Sequence, residues 1–106
     1  MIVFQWSAVA LEGRGDRAMG VIKRWAKDEL AEIGWPSGKV YRRCHCGEAI
    51  TVEYCFDDMS SFERAWECLM KSEKAALFWL ELQPFLEEDQ MDRQLYQVCY
   101  ARAANR

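Results

Sequence analysis

The spacing of apolar residues switches repeatedly between a period of two and one of about 3.6, and that succession constrains the fold more than any single motif. Over residues 2–11, Val3, Phe4, Trp6 and Val9 alternate in part with Gln5 and Ser7, the aromatic and β-branched rhythm of a strand. Gly13-Arg14-Gly15 breaks the run, and Asp16 is placed to cap the next element. Ala18, Val21, Ile22, Trp25, Ala26 and Leu30 then recur at three- and four-residue steps. That pattern is one face of a helix, with Lys23, Lys27, Asp28 and Glu32 on the other. Gly34 and Pro36 stop it.

Residues 39–46 and 49–56 read as a hairpin about a two-residue Gly47-Glu48 turn. Counting outward sets Arg42 opposite Glu53, Cys44 opposite Thr51 and Tyr41 opposite Tyr54. One side of the sheet then carries Arg42, Cys44, Thr51 and Glu53, and the other Tyr41, Ile50, Val52, Tyr54 and Phe56. Ser60-Ser61-Phe62-Glu63 has the form of a capping box, with Ser60 as cap. Phe62, Ala65, Trp66, Leu69 and Met70 make a helical stripe behind it. A second helical stretch comes after a break near Lys71-Ser72 and holds Ala76, Leu77, Trp79 and Leu80. Pro84 ends that stretch or opens a short extra turn, and residues 94–101 close the chain as a strand.

The order strand, helix, strand, strand, helix, strand predicts an α+β, ferredoxin-like βαββαβ fold. Its four-stranded antiparallel sheet carries the helices on one face. With 106 residues the chain has room for a single domain, 1–106. The other sheet face, expected to be rich in apolar and aromatic side chains, would be covered by a second copy, giving a homodimeric barrel.

A net charge of −3 with both signs mixed along the chain argues against a nucleic-acid surface. The first residues lack the basic start of a secretory leader, and no apolar run has the length of a membrane span, so the expected location is cytoplasmic. Five cysteines (Cys44, Cys46, Cys55, Cys68 and Cys99) are an odd number, as for free thiols in a reducing compartment. They are expected to be mostly small buried hydrophobes.

Gly38-Lys39-Val40-Tyr41-Arg42, the Gly47 turn and Thr51-Val52-Glu53-Tyr54 carry a family resemblance. Phe56-Asp57-Asp58-Met59, Phe62-Glu63, Trp66 and the Phe78-to-Pro84 segment extend it. In these residues the chain resembles the NIPSNAP-like branch of the dimeric α+β barrel superfamily. That superfamily also holds antibiotic-biosynthesis monooxygenases, haem-degrading enzymes, muconolactone isomerases and small cyclases. The resemblance implies the fold and a homodimer, and it supplies no invariant catalytic motif to carry onto numbered positions.

Gln5, Ser7, Arg42, Thr51, Glu53 and Gln97 form a polar set expected to point away from the helices, into a cavity between subunits. A few convergent polar groups in an apolar pocket suit a small-molecule site. Glu53 would be its general acid or base, and Arg42 would stabilise an enolate or carboxylate. The alternative is a charge pair at a sheet or dimer surface. His45, the only histidine, is a candidate proton shuttle or haem ligand, or else an exposed strand end. In Cys44-His45-Cys46 the histidine would point away from both thiols, and the spacing departs from zinc motifs, so no metal is assigned. Of the five tryptophans, Trp25, Trp66 and Trp79 lie on core stripes, while Trp6 can face core or cavity.

The sequence therefore points to a homodimer binding an aromatic or polyketide-like organic molecule without a cofactor, as cyclase, isomerase or monooxygenase. Glu53, Arg42 and His45 are the catalytic candidates; Gln5, Trp6, Ser7, Thr51 and Gln97 are the ligand-binding ones. A non-catalytic binding or structural dimer, or a haem-binding protein using His45, is the alternative.

Overall fold

The computed structural model describes residues 1–43 and 48–99. Strand β1 (Ile2–Val9) leads into helix α1 (Gly15–Arg24), which continues through a π-helical turn (Trp25–Glu29) into a short α2 (Leu30–Glu32). Strands β2 (Gly38–Arg42) and β3 (Ala49–Phe56) come next, then α3 (Met59–Lys71), α4 (Glu73–Leu82), a 3-10 turn (Gln83–Phe85) and β4 (Asp92–Gln97). The sheet order is β2-β3-β1-β4, with each neighbouring pair antiparallel. This is the ferredoxin-like α+β arrangement that the periodicities predict.

Strand alternation builds the core. Ile2, Phe4 and Ala8 of β1 are buried together with Ile50, Val52, Tyr54 and Phe56 of β3. Against this face pack Val21 and Ile22 of α1, Trp25 of the π turn, Ala65 of α3 and Leu82 of α4. Gly34 adopts a φ of 91°, the left-handed conformation that ends a helix, and so turns Trp35 back into the core. The Trp35 ring meets Phe4, Tyr54 and Phe56 edge-on at centroid distances of 6.0, 5.0 and 5.4 Å. Its Nε1–H donates to the Ala65 carbonyl at 2.8 Å. A buried indole is thereby left with no unpaired donor.

Helix starts differ from expectation in detail. Asp58, extended at φ −150° and ψ 173°, caps α3 by accepting from the Ser61 N–H at 2.8 Å, and Ser60 lies inside the first turn. The same hydrogen bond lowers the Asp58 pKa, because it favours the charged carboxylate. Ser72 is the one residue between α3 and α4. It caps α4 by accepting from the Ala75 N–H at 3.2 Å, at the break the sequence marks. Asp16 does not cap α1; it sits in the first turn and pairs with Arg42.

The hairpin register is the main correction. Val40 opposes Val52, Tyr41 opposes Thr51 and Arg42 opposes Ile50, a slip of three residues from the count about Gly47-Glu48. The Arg43 N–H already reaches the Ala49 carbonyl, and the Glu48 carbonyl is taken by the Ala10 N–H, so the turn cannot be two residues long. Cys44, His45, Cys46 and Gly47 lie outside the described residues, and so do the last residues of the expected closing strand. Cys55, Cys68 and Cys99 are exposed rather than buried. Among the described residues, no helix is long and apolar enough to cross a membrane.

Candidate functional site

The alternation that buries even-numbered residues of β1 and β3 sends the odd-numbered ones to the uncovered face. Two polar rows cross all four strands there. Gln94, Gln5, Glu53 and Lys39 make one, and Asp92, Ser7, Thr51 and Tyr41 the other. Gln5 donates from Nε2 to Glu53 Oε1 at 2.8 Å, and the Ser7 and Thr51 hydroxyls lie 2.9 Å apart. The Tyr41 hydroxyl reaches Glu53 Oε2 at 3.4 Å. Val3 and Tyr96 flank the rows, so this face is polar at its centre, not the apolar and aromatic patch expected.

Of the predicted polar set, Gln5, Ser7, Thr51 and Glu53 are therefore neighbours on one face. Arg42 and Gln97 are not among them, because both share the parity of the core residues opposite them, Ile50 and Ile2. Arg42 instead donates to Asp16 at 2.8 Å and lies 3.5 Å from Glu48, beside the start of α1. The hydrogen bond to Asp16, foremost, raises its pKa further. The Arg42–Glu53 pair thus does not exist. His45 falls outside the described residues. Among the described residues no cluster of three or more metal-ligating side chains occurs.

The cavity lies on the opposite side of the sheet. About 690 Å³ of space separates the sheet from α3 and α4. Phe4, Trp6, Tyr54 and Arg93 form its sheet wall, while Trp66, Leu69, Ala75 and Phe78 form its roof. Trp25, Trp35, Trp79, Asp89 and Met91 complete the lining. Trp6 is the one predicted ligand-binding residue in this lining.

Aromatic geometry organises these walls. Trp25, carried on the π turn, stacks on Phe78 of α4 at 4.4 Å and 11°. Trp66 lies 5.6 Å from Phe4, and the Arg93 guanidinium carbon stands 5.6 Å from the Trp66 ring centroid. That is cation–π distance. The β1–β4 register sets Arg93 beside Trp6. Exposed ion pairs Arg24–Glu81 and Lys74–Glu32 (2.7 Å) link α4 to α1 and α2. Such exposed pairs contribute little energy. Tyr54 is 1% exposed, and burial raises its phenol pKa. Gly38 lies against that ring: a Cβ there would come within 2.5 Å of Tyr54 Cε1, so only glycine fits.

Chemically, this is an apolar, aromatic slot whose lining carries a cation, Arg93, a phenol, Tyr54, and a carboxylate, Asp89. Sequence reasoning assigned Trp25, Trp66 and Trp79 to simple packing and did not single out Arg93. The readable signal was α4, whose Leu77, Phe78, Leu80 and Leu82 leave no polar face of the usual width.

No protein-family model matches the chain, and no curated protein matches it in sequence. Solved structures do match. A NIPSNAP domain protein from Burkholderia xenovorans superposes with a TM-score of 0.74 over 97% of this chain and 100% of its own, at 10% identity. SnoaB from Streptomyces nogalater, a cofactor-independent oxygenase, gives 0.72 over 94% of each chain at 14% identity. A candidate antibiotic biosynthesis monooxygenase from Deinococcus radiodurans gives 0.74 over 99% of each at 10%. The chain shares the ferredoxin-like fold of these NIPSNAP-domain and monooxygenase-type structures. At these identities the likeness is one of fold, and the chemistry must be argued from the cavity.

Tyr54 yields a pH prediction. Its folded pKa lies above the ordinary 10.0, so the phenol stays neutral when folded but ionises in the unfolded chain. Its contribution is present below pH 10 and is lost as pH rises from there toward the folded value. In urea titrations, wild-type stability should fall above pH 10, and Tyr54→Phe should lose less over the same range.

Proposed function

We propose that the protein binds a planar aromatic or polyketide-like molecule in the cavity beneath α3 and α4 and carries out cofactor-free chemistry on it. The observation that carries this reading is the cavity itself: a slot of about 690 Å³, walled by tryptophans and phenylalanines, with Arg93, Tyr54, Ser72 and Asp89 as its few polar groups. Flat aromatic walls favour a flat ligand, because offset stacking and edge contacts are strongest with another ring. Arg93 suits a carbonyl or phenolate oxygen, and the neutral Tyr54 phenol suits an acceptor. SnoaB, of the same fold, is a cofactor-independent oxygenase, which supports that class of chemistry.

The reading includes a homodimer paired through the uncovered sheet face. This face is self-complementary in charge, with Lys39 and Arg43 toward its β2 edge and Asp92 toward its β4 edge. Its central polar groups bond one another in part, Gln5 to Glu53 and Ser7 to Thr51, which lowers the cost of covering them with a second sheet. In this arrangement Gln5, Ser7, Thr51 and Glu53 serve the pairing rather than the chemistry.

Alizarin, a planar anthraquinone phenol, tests the cavity. Tryptophan emission should quench saturably, at one molecule per chain. Ala75→Leu, which fills the slot, should weaken binding at least about tenfold. Absence of saturable quenching, or an unchanged affinity in Ala75→Leu, would contradict the reading. Sedimentation equilibrium tests the pairing: the wild type should be a dimer at micromolar concentration and Ser7→Arg a folded monomer. A wild-type monomer would remove the dimer from the proposal.

A further inference from the structure

A second groove, of about 880 Å³, runs over the outside of the molecule along the C-terminal end of α4. Its floor is Ala8 and Leu86, and its apolar sides include Leu11, Leu80 and Pro84. Trp79, Asp89 and Met91 line both this groove and the aromatic cavity, so the two spaces share one wall. The two large side chains of that wall are only partly covered, Trp79 at 36% exposure and Met91 at 40%. Exposed side chains exchange rotamers quickly. Leu80 is 63% exposed and Leu11 39%, apolar surface that the fold of this chain does not use.

From this continuity we infer that the ligand is bipartite: a planar aromatic head in the cavity and a flexible, uncharged aliphatic chain that leaves between Trp79 and Met91 and lies along the groove. The inference rests on the proposed cavity function and adds the chemical class of the substituent. Three successive carboxylates, Glu87, Glu88 and Asp89, border the groove. They repel a chain ending in a carboxylate, so a neutral alkyl or acyl chain is the occupant rather than a fatty-acid tail. Trp79 is then the specificity-determining residue, since its ring sets whether the head stops in the cavity or its chain continues outward.

Two neutral fluorophores with the same naphthalene head test this. Prodan carries a propionyl chain and laurdan a lauroyl chain. Both are titrated into the full-length protein and into the Leu11→Glu/Leu80→Glu double variant, whose changes lie at exposed positions outside the cavity. Wild type should bind laurdan about 100-fold more tightly than prodan, as burial of several methylenes requires. The double variant should bind prodan as wild type does and lose most of the gain for laurdan. An equal affinity for both probes in wild type, or a gain that persists in the variant, overturns the bipartite site while leaving the cavity intact. Failure of prodan to bind wild type at all overturns the cavity reading, and the inference falls with it.

Discussion

The Trp35 indole is the wedge on which the helical layer rests. It stands edge-on against Phe4, Tyr54 and Phe56 of the sheet and donates its only N–H to a carbonyl of α3. A large ring satisfied in this way fixes how near α3 approaches the central strands. A second indole, Trp66 of α3, reaches Phe4 of β1 and Arg93 of β4, and the space left around these rings is the cavity beneath α3 and α4. Gly38 belongs to the same constraint, since any side chain there would push Tyr54 out of the arrangement.

Strand parity divides the rest of the molecule. Even-numbered positions of β1 and β3 build the aromatic core and the cavity wall, and odd-numbered ones build the polar rows of the uncovered face. A one-residue slip would exchange the two sets and leave Gln5 and Glu53 in the core. The lateral bonds Gln5–Glu53 and Ser7–Thr51 settle those polar groups within the sheet. The two faces thus have distinct physical characters, one suited to a covering surface and the other to a planar guest.

The element order was legible because each period of apolar spacing is long enough to read. Strand β3 begins and ends at the expected residues, and the α3–α4 break falls at Ser72. The hairpin register was not legible, because Gly47-Glu48 looks like a tight turn while the Glu48 carbonyl is committed to Ala10, a contact distant in sequence. Arg42 shared the same error: its partners are Asp16 and Glu48, fixed only by the packing of α1. The π turn at Trp25 leaves no mark in the pattern, since the helical stripe continues through it. The cavity was hidden for a related reason. Trp66 occupies a stripe position whether its ring meets a neighbour or an empty slot, and periodicity cannot tell the two apart.

Whether the ligand sits beneath α3 and α4 or on the uncovered sheet face is decided most directly by nuclear magnetic resonance. Backbone amide and tryptophan indole signals would be mapped with and without alizarin. The indoles of Trp6, Trp66 and Trp79 and the amides of Phe78 and Arg93 should shift, while Gln5, Ser7, Thr51 and Glu53 stay in place. Shifts confined to Gln5, Ser7, Thr51 and Glu53, with those indoles unmoved, would put the ligand on the wrong side of the sheet and contradict the cavity as the functional site.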